Sequence, residues 1–177
     1  MLFRSQISLS CASGASVLAL ASDMIRSGRA DRVLAIGYDA LTEFCWCGLT
    51  NLRTISTDAM RPFDLNRSGT IFSEGAGAVL LERPGASAAA PLATLLGAAT
   101  NNNAFHMTAP SKDADGSRRV MADALADAGL APEAIEHICA HATSTKANDV
   151  TEVAAFRHLF GERLDGMTVA EIGRAHV

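Results

Sequence analysis

The chain has 177 residues, of which 49% are hydrophobic and 19% charged, and its formal net charge is −4 at pH 7. This composition excludes intrinsic disorder, which combines low hydrophobicity with high charge, and it argues against nucleic-acid binding, which needs a basic face. The sequence has no apolar run long enough to span a bilayer, and residues 1–5 lack the apolar core of a signal peptide. We therefore expect a cytoplasmic protein with reduced cysteines.

The first part of the chain predicts a strand, a helix and a second strand in succession. Ile7 and Leu9 alternate with polar residues in 6–10, which predicts a short strand. An apolar helical face follows and ends near Gly28. Residues 33–36 form an apolar run typical of a buried strand. Together these elements predict a βαβ unit and a layered α/β fold, with helices covering a sheet.

The remainder of the chain predicts further helices and short strands. The predicted helices cover residues 41–52, 115–128 and 150–160, and the predicted strands cover residues 75–81, 92–99 and 137–140. Proline makes 61–64 a loop, and Gly129 is a typical helix end. Asp149 and Glu152 have capping-box spacing at the start of the last helix.

Cys11 is the first candidate catalytic residue, because it lies between a predicted strand and the first turn of a helix. A thiolate at that position is stabilised by the helix macrodipole and by unpaired backbone N–H groups. The small residues at 12–14 leave room for a substrate carbonyl. From spacing alone, a buried structural cysteine is the alternative.

His141 is the second candidate, because it follows the predicted strand 137–140. Loops at the carboxyl ends of strands are where α/β sheets collect catalytic groups, and a histidine bound to loop backbone is the alternative. We assign His106, in another loop, a structural role. Cys11 and His141 together indicate a cysteine nucleophile with a histidine partner. The residues by themselves leave a thiol hydrolase and an acyl transferase open.

Five short motifs occur in a fixed order along residues 6–160. They are Ser10-Cys11-Ala12-Ser13-Gly14; Arg61-Pro62-Phe63-Asp64 with Arg67-Ser68-Gly69; Glu74-Gly75-Ala76-Gly77; His106-Met107-Thr108-Ala109-Pro110; and Ala140-His141-Ala142-Thr143-Ser144-Thr145 with Asn148-Asp149. The series resembles the elongating (type I/II) β-ketoacyl-acyl-carrier-protein synthases, condensing enzymes of the thiolase-like superfamily. The resemblance implies a thiolase-like layered α-β-α fold that is incomplete and holds parts of both pseudo-repeated halves.

The resemblance also implies a division of the chain. Residues 6–83 correspond to the end of the N-terminal synthase half with the nucleophile, and residues 84–170 to the start of the C-terminal half with the first catalytic histidine. Residues 1–5 and 171–177 resemble cloning or sequencing scars. The family's second histidine, in a Gly-His-x-x-Gly context, and its lysine are not in the sequence. We therefore expect an interior fragment that is inactive alone, because catalytic groups act as a unit.

The implied reaction is a decarboxylative Claisen condensation in fatty-acid or polyketide-type synthesis. Cys11 takes an acyl chain from a carrier-protein thioester, and the carbanion left when malonyl carrier protein loses carbon dioxide attacks it. The Cys11 N–H contributes to the oxyanion hole, and His141 stabilises the enolate-like oxygen. Thr143 and Thr145 bind the phosphopantetheine arm, and Thr108 lies near its entrance. No metal or dissociable cofactor is expected, because phosphopantetheine arrives on the carrier protein.

The implied partners are acyl carrier protein, acyl and malonyl thioesters, and a second subunit in a homodimer or a synthase-like heterodimer. Carrier proteins are acidic, which makes Arg61 the candidate docking residue, while Arg67 is assigned a structural role. For both arginines the alternative is a loop salt bridge with Asp64 or Glu74. The strand at 32–36 is expected to pair across the twofold axis of the dimer.

Other functions and some departures from the family pattern stay open. A thiolase-type acyltransferase, a non-catalytic thiolase-fold binding module and a plain cysteine hydrolase are the alternatives. Ala142 and Ser73 each replace a usual glycine, and Ala142 places a Cβ where backbone freedom is useful. Cys139 stands where an asparagine often occurs, which argues against a structural cation site there.

Overall fold

The structure is a computed structural model that describes residues 4–170. Four α-helices and four strands make up this part of the chain. In order they are α1 (Ser13–Arg26), β1 (Arg32–Asp39), α2 (Glu43–Asn51), β2 (Gly75–Glu82), α3 (Asp115–Ala128), β3 (His137–Cys139), α4 (Lys146–Phe160) and β4 (Thr168–Ala170), with 3-10 turns at Pro132–Ala134 and Gly161–Gly166. Over this range, none of the helices combines the length and apolar character that crossing a membrane requires.

The first sheet is an antiparallel pair of β1 and β2, and α1 covers one of its faces. Arg32 lies opposite Glu82 at one end of the ladder. Ala35 of β1 and Ala21 of α1 are both buried where helix and sheet meet. The alternate β1 side chains are exposed, because successive residues of a strand point to opposite faces; they are Leu34, Ile36 and Tyr38.

The second sheet is a parallel pair of β3 and β4, with Ile138 opposite Val169. Helix α4 packs on it through Phe156 and Phe160, and α3 lies beside α4. The buried apolar cluster at this junction consists of Ile138, Ala140, Ala142, Phe156 and Phe160. Since Ala142 belongs to this cluster, the loop that follows β3 is anchored in the apolar core and not on its surface.

Several predicted elements are confirmed and two predicted strands are wrong. The helices at 41–52 and 115–128 form as α2 and α3, and Gly129 ends α3 with a left-handed φ of +66°. Residues 6–10 contribute only an isolated bridge at Leu9, and residues 92–99 form no strand. A strand needs a neighbour for its ladder, and none pairs with either segment within residues 4–170. The predicted βαβ unit is therefore replaced by α1 followed by the antiparallel β1–β2 pair.

The segment at 92–99 packs against α3 instead of joining a sheet. A Cβ built on Gly97 would lie 2.5 Å from the Ala128 nitrogen and 2.7 Å from the Ala124 carbonyl oxygen. The neighbouring Ala98 N–H donates to Asp127 Oδ2 at 3.0 Å. The missing side chain at Gly97 is therefore what lets this backbone lie directly on the helix.

Helix α4 starts at Lys146, earlier than the sequence predicted. Thr145 is its N-cap, and its Oγ1 accepts the Asn148 N–H at 3.4 Å. The predicted capping box of Asp149 and Glu152 is wrong, because both carboxylates accept backbone N–H groups from outside the helix. The two carboxylates hold loops, and a threonine caps the helix.

Candidate functional site

Cys11 is an exposed, free thiol in the turn that precedes α1. Ser13 Oγ accepts the Leu9 N–H at 2.7 Å and donates to the Ser10 carbonyl at 2.8 Å. Ser10 has a left-handed φ of +50°, which a non-glycine residue rarely adopts. The turn is thus fixed from both sides of the cysteine. The thiol is exposed in the described part of the chain.

The His141 loop directly follows β3, as predicted, and is held by a glutamate of α4. The His141 N–H donates to Glu152 Oε1 at 2.6 Å, and the Ala142 N–H donates to Glu152 Oε2 at 2.8 Å. The Asn148 side-chain amide donates to the same Oε2 at 3.2 Å. A single carboxylate therefore accepts three N–H groups and fixes the backbone that carries the exposed His141.

Two residues of this loop adopt left-handed backbone conformations. Ala142 has φ +45° and Ser144 has φ +62°, and both are fully buried. Such conformations in non-glycine residues cost of order 1–3 kcal/mol and persist where the surroundings over-determine them. Between and after them, the hydroxyls of Thr143 and Thr145 lie 2.8 Å apart. The two threonines predicted to bind the same ligand arm are therefore neighbours.

Arg61 contacts the His141 loop through its backbone and not through its charge. Its N–H donates to Ser144 Oγ at 2.9 Å. Its guanidinium forms an ion pair with Asp58 at 2.6 Å. The predicted partners, Asp64 and Glu74, are wrong for this arginine, because Asp58 lies one turn before it in the same loop and is the nearer acid.

Arg67 has the structural role that its motif indicated, with a different acidic partner. Its Nε lies 3.4 Å from Asp149 Oδ2 in an ion pair whose side chains are 12% and 2% exposed. The same guanidinium donates to the carbonyls of Thr145 at 3.2 Å, Lys146 at 3.1 Å and Asp64 at 2.8 Å. Asp64 thus accepts a hydrogen bond from Arg67 through its backbone carbonyl, and the acidic side chain that pairs with Arg67 is Asp149.

Thr108 belongs to a separate turn. His106 Nδ1 accepts the N–H groups of Thr108 at 3.1 Å and Ala109 at 3.2 Å. This arrangement agrees with the structural role assigned to His106. The hydrogen bonds of the His141 loop bring together His141, Thr143, Thr145 and Arg61 without Thr108.

Sequence reasoning missed Asp149 and Glu152 as residues that hold the site. Both were interpreted as a helix cap. Their spacing carried the signal, since residues three apart on a helix share a face, and both carboxylates accept backbone N–H groups from outside α4. What the spacing did not reveal is the backbone they bind, which includes Phe63 far away in sequence.

Two open clefts of the described chain lie away from the candidate residues. One of about 410 Å³ is lined by Glu136, Arg163 and Met167, the other of about 560 Å³ lies around Arg83, and neither is lined by Cys11 or His141. Between residues 4 and 170, no group of three or more histidine, cysteine, aspartate or glutamate side chains is arranged to hold a metal ion.

Two family models match consecutive parts of the chain. The model of the β-ketoacyl synthase N-terminal domain matches residues 7–86. The model of the β-ketoacyl synthase C-terminal domain matches residues 92–173. Between them the two models account for nearly all of the sequence.

Curated proteins with similar sequences point the same way. Nodulation protein E of Rhizobium meliloti is 36% identical over 176 residues, which is 96% of this chain and 43% of that protein. A 3-oxoacyl-[acyl-carrier-protein] synthase 2 of Staphylococcus aureus is 34% identical over 169 residues, which is 90% of this chain and 42% of that protein. The chain spans less than half the length of the curated relatives it matches.

Solved structures of ketosynthases share the fold. One neighbour is a chain from the structure of a type II polyketide synthase acyl carrier protein in complex with its ketosynthase. It has a TM-score of 0.88 and is 33% identical, and the match covers 95% of this chain and 44% of that one. A β-ketoacyl synthase from Burkholderia phymatum has a TM-score of 0.85 and 34% identity, covering 92% and 41%. These neighbours confirm the predicted incomplete thiolase-like fold.

Proposed function

Because the chain belongs to the β-ketoacyl synthase family, we propose that it supplies the acyl-carrying thiol and the first catalytic histidine of a synthase. That synthase condenses an acyl thioester with malonyl-acyl-carrier protein in fatty-acid or polyketide-type synthesis. The observation that supports this most directly is Cys11, an exposed thiol in a fixed turn at the start of α1. A nucleophile needs this combination of access and rigid placement.

The first step transfers the acyl group to Cys11. The Cys11 thiolate attacks the carbonyl carbon of the acyl thioester and forms a new carbon–sulfur bond. The bond to the pantetheine sulfur breaks, and the released thiolate takes up a proton. Cys11 lies in the turn just before α1, at the positive end of the helix dipole.

The second step joins two carbons. The malonyl thioester loses carbon dioxide, and the electron pair of the broken carbon–carbon bond forms an enolate whose oxygen His141 stabilises. The enolate carbon attacks the acyl carbonyl, the carbon–sulfur bond to Cys11 breaks, and the Cys11 thiolate is regenerated. The products are carbon dioxide and a 3-oxoacyl thioester on the carrier protein.

Binding of the carrier protein's arm is assigned to Thr143 and Thr145. Their hydroxyls lie 2.8 Å apart and are half-buried in the loop after His141, a fixed pair of groups for an amide-bearing chain. Thr108 is assigned to the entrance of the arm. Phosphopantetheine enters with the carrier protein, so the proposal requires no cofactor bound by this chain.

The proposed partner is acyl carrier protein, and one structural neighbour is a ketosynthase in complex with its carrier protein. Arg61 keeps the assignment as a docking residue. Its side chain is 38% exposed and forms an ion pair with Asp58. A carrier-protein carboxylate would therefore compete with Asp58 for the Arg61 guanidinium. Another neighbour is a ketosynthase with its chain length factor, which supports a synthase-like dimer. The edge of β1 away from β2 is open in residues 4–170 and is the expected pairing edge.

The decisive experiment measures acyl transfer to individual cysteines. The chain is incubated with an octanoyl-pantetheine thioester, and the acylated cysteines are identified by peptide mass spectrometry. Cys47 and Cys139 are exposed controls within the same molecule. Activated thiols react selectively, so we expect at least about tenfold more acyl adduct on Cys11 than on either control. Equal acylation of Cys11, Cys47 and Cys139 would reject the assignment of Cys11 as the nucleophile.

Two further comparisons separate the proposal from its alternatives. Faster acylation by octanoyl-acyl-carrier protein than by octanoyl-coenzyme A supports a synthase, and the reverse preference indicates a thiolase-type enzyme. A non-catalytic binding module would give no selective adduct. The chain alone should form no 3-oxoacyl product above a Cys11→Ser control. A cytoplasmic location is part of the same proposal and agrees with the four free cysteines.

A further inference from the structure

Arg67 and Asp149 form a buried junction between the parts of the chain that match different family models. Arg67 lies within the N-terminal match and Asp149 within the C-terminal match. Their side chains are 12% and 2% exposed. A charged pair this far from water needs further hydrogen bonds to be stable, and the guanidinium has them in the carbonyls of Thr145, Lys146 and Asp64.

The contacts of this junction converge on the loop that carries the candidate site. Arg67 binds the carbonyl of Thr145, and Asp149 Oδ2 accepts the Phe63 N–H at 2.8 Å. The Arg61 N–H donates to Ser144 Oγ. Three separate links therefore run from the loop at 58–67 to the short segment 144–149.

Two of these links end at residues with left-handed backbone conformations, and a third such residue lies in the same loop as Ser144. Phe63 has φ +63°, Ser144 has φ +62° and Ala142 has φ +45°, all left-handed and none of them glycine. Each takes part in a hydrogen bond described above, to Asp149, from Arg61 and to Glu152 respectively. Strained residues stay in place only where neighbouring contacts over-determine them; the links from the 58–67 loop hold Phe63 and Ser144 in this way, and Glu152 holds Ala142.

We propose that Arg67 is a positioning residue for residues 141–145. It holds the loop that presents His141, Thr143 and Thr145 in the conformation that the proposed condensation uses, and in this respect the inference rests on the proposed function. Arg67 does not itself touch the reacting atoms. It acts through Asp149 and through the carbonyls at the start of α4.

The test follows the amide resonances of the loop in the whole 177-residue chain. Two-dimensional ¹H–¹⁵N spectra are recorded for the parent chain, Arg67→Lys and Arg67→Met. Lysine keeps the charge beside Asp149 but lacks the guanidinium fork that reaches several carbonyls at once. We expect the cross-peaks of His141 and Ala142, whose N–H groups bind Glu152, to shift in both variants.

A second arginine in the chain is a matched control. The Arg163 guanidinium also binds three carbonyls, those of Pro132, Glu133 and Ile135, away from this loop. Arg163→Met should leave the His141 and Ala142 cross-peaks in place. Hydrogen exchange of the same two amides should be at least about tenfold faster in Arg67→Met than in Arg163→Met, because an unpaired buried Asp149 loosens the region around it.

The result that overturns the inference is specific to the loop. Unmoved His141 and Ala142 cross-peaks in Arg67→Lys would do so even if Arg67→Met fails to fold. Equal acceleration of exchange at these amides and throughout β1 and β2 would show a general loss of stability and would also reject positioning. Acylation of Cys11 is measured independently, so a negative result for Arg67 does not affect the assignment of Cys11 as the nucleophile. If the cross-peaks shift but Cys11 is not acylated, the proposed function falls and positioning for catalysis falls with it.

Discussion

Arg26 and Asp127 join the last turn of α1 to the last turn of α3 through two parallel hydrogen bonds. Arg26 Nη1 lies 2.8 Å from Asp127 Oδ2, and Nη2 lies 2.9 Å from Oδ1. The hydrogen bond from Arg26 and then that from the Ala98 N–H lower the pKa of Asp127 to about 2. The helix that begins beside Cys11 is thus tied at its far end to the second half of the chain.

This pairing predicts a pH-dependent part of the stability. A carboxyl whose pKa is lowered by folding stabilises the fold above its unfolded pKa, and the contribution is lost as the pH falls through the folded pKa. For Asp127 the window runs from 3.8 down to about 2. We expect Asp127→Asn to lower the urea midpoint at neutral pH, and the difference from the parent chain to shrink as the pH falls through this window.

Asp123→Asn is the matched control, because Asp123 is an exposed carboxylate on the same helix. Urea midpoints of the three proteins are measured from neutral pH down to about 2. If Asp123→Asn and Asp127→Asn change the midpoint equally at every pH, the bidentate pair contributes nothing particular to stability. Because both partners lie at the surface, high salt should reduce the effect of Asp127→Asn.

Glu152→Gln tests the carboxylate that holds the His141 loop. The Glu152 oxygens accept the N–H groups of His141 and Ala142 and the Asn148 side-chain amide. Glutamine keeps one acceptor and turns an NH₂ group toward an N–H donor. We expect a loss of about 1–3 kcal/mol in the free energy of unfolding, measured by urea denaturation. Glu162→Gln, at an exposed glutamate, should change the free energy of unfolding by less than about 0.5 kcal/mol. Equal losses in the two variants would contradict the role of Glu152 in holding the His141 loop.

Local sequence patterns predicted most of the elements, and they failed for two strands that find no ladder partner within residues 4–170. The amphipathic pattern of α3 and its end at Gly129 were readable because helix bonds are local. The alternation at 6–10 has the form of a strand, but a strand is completed by another strand, and no neighbour pairs with this one within residues 4–170. The extended segment 92–99 fails for the same reason and lies on α3 instead.

The places of Cys11 and His141 in the fold were predictable from the sequence, and the connections of the loop were not. Both residues lie at element ends, as predicted, where chemistry-bearing loops lie. The bond from Arg61 to Ser144 joins positions 83 residues apart, and the bond from Phe63 to Asp149 joins positions 86 apart. No local pattern encodes such pairs, so the acid for Arg67 was sought nearby in sequence and was found on α4 instead.

Gly97→Ala tests how closely the segment 92–99 approaches α3. The new methyl group would lie 2.5 Å from the Ala128 nitrogen, and backbone atoms cannot yield as a flexible side chain does. We expect a destabilisation of about 1–3 kcal/mol. Gly48→Ala is the control, because Gly48 lies inside α2 with nothing within 4 Å of its added Cβ. That change should stabilise the chain by about 0.5–1 kcal/mol. If both variants changed the free energy of unfolding in the same direction, the close approach of Gly97 to α3 would be contradicted.

Ala142 offers the sharpest test of strain in the His141 loop, because it is fully buried with φ +45°. Ala142→Gly relieves a left-handed conformation that costs about 1–2 kcal/mol. It also removes a buried methyl group worth about 0.8 kcal/mol and frees the unfolded chain by about 0.4–1 kcal/mol. These effects nearly cancel, so we expect the free energy of unfolding to change by less than about 1 kcal/mol.

Ala142→Val should behave differently, because a β-branched side chain at a left-handed φ is a steric outlier and the site has no exposed surface. Adding bulk to a packed core costs about 1–3 kcal/mol before that strain is counted. Urea denaturation of the parent chain and both variants measures the difference. A loss for Ala142→Gly as large as that for Ala142→Val would mean that the methyl group, and not the backbone conformation, is what residue 142 contributes to the loop.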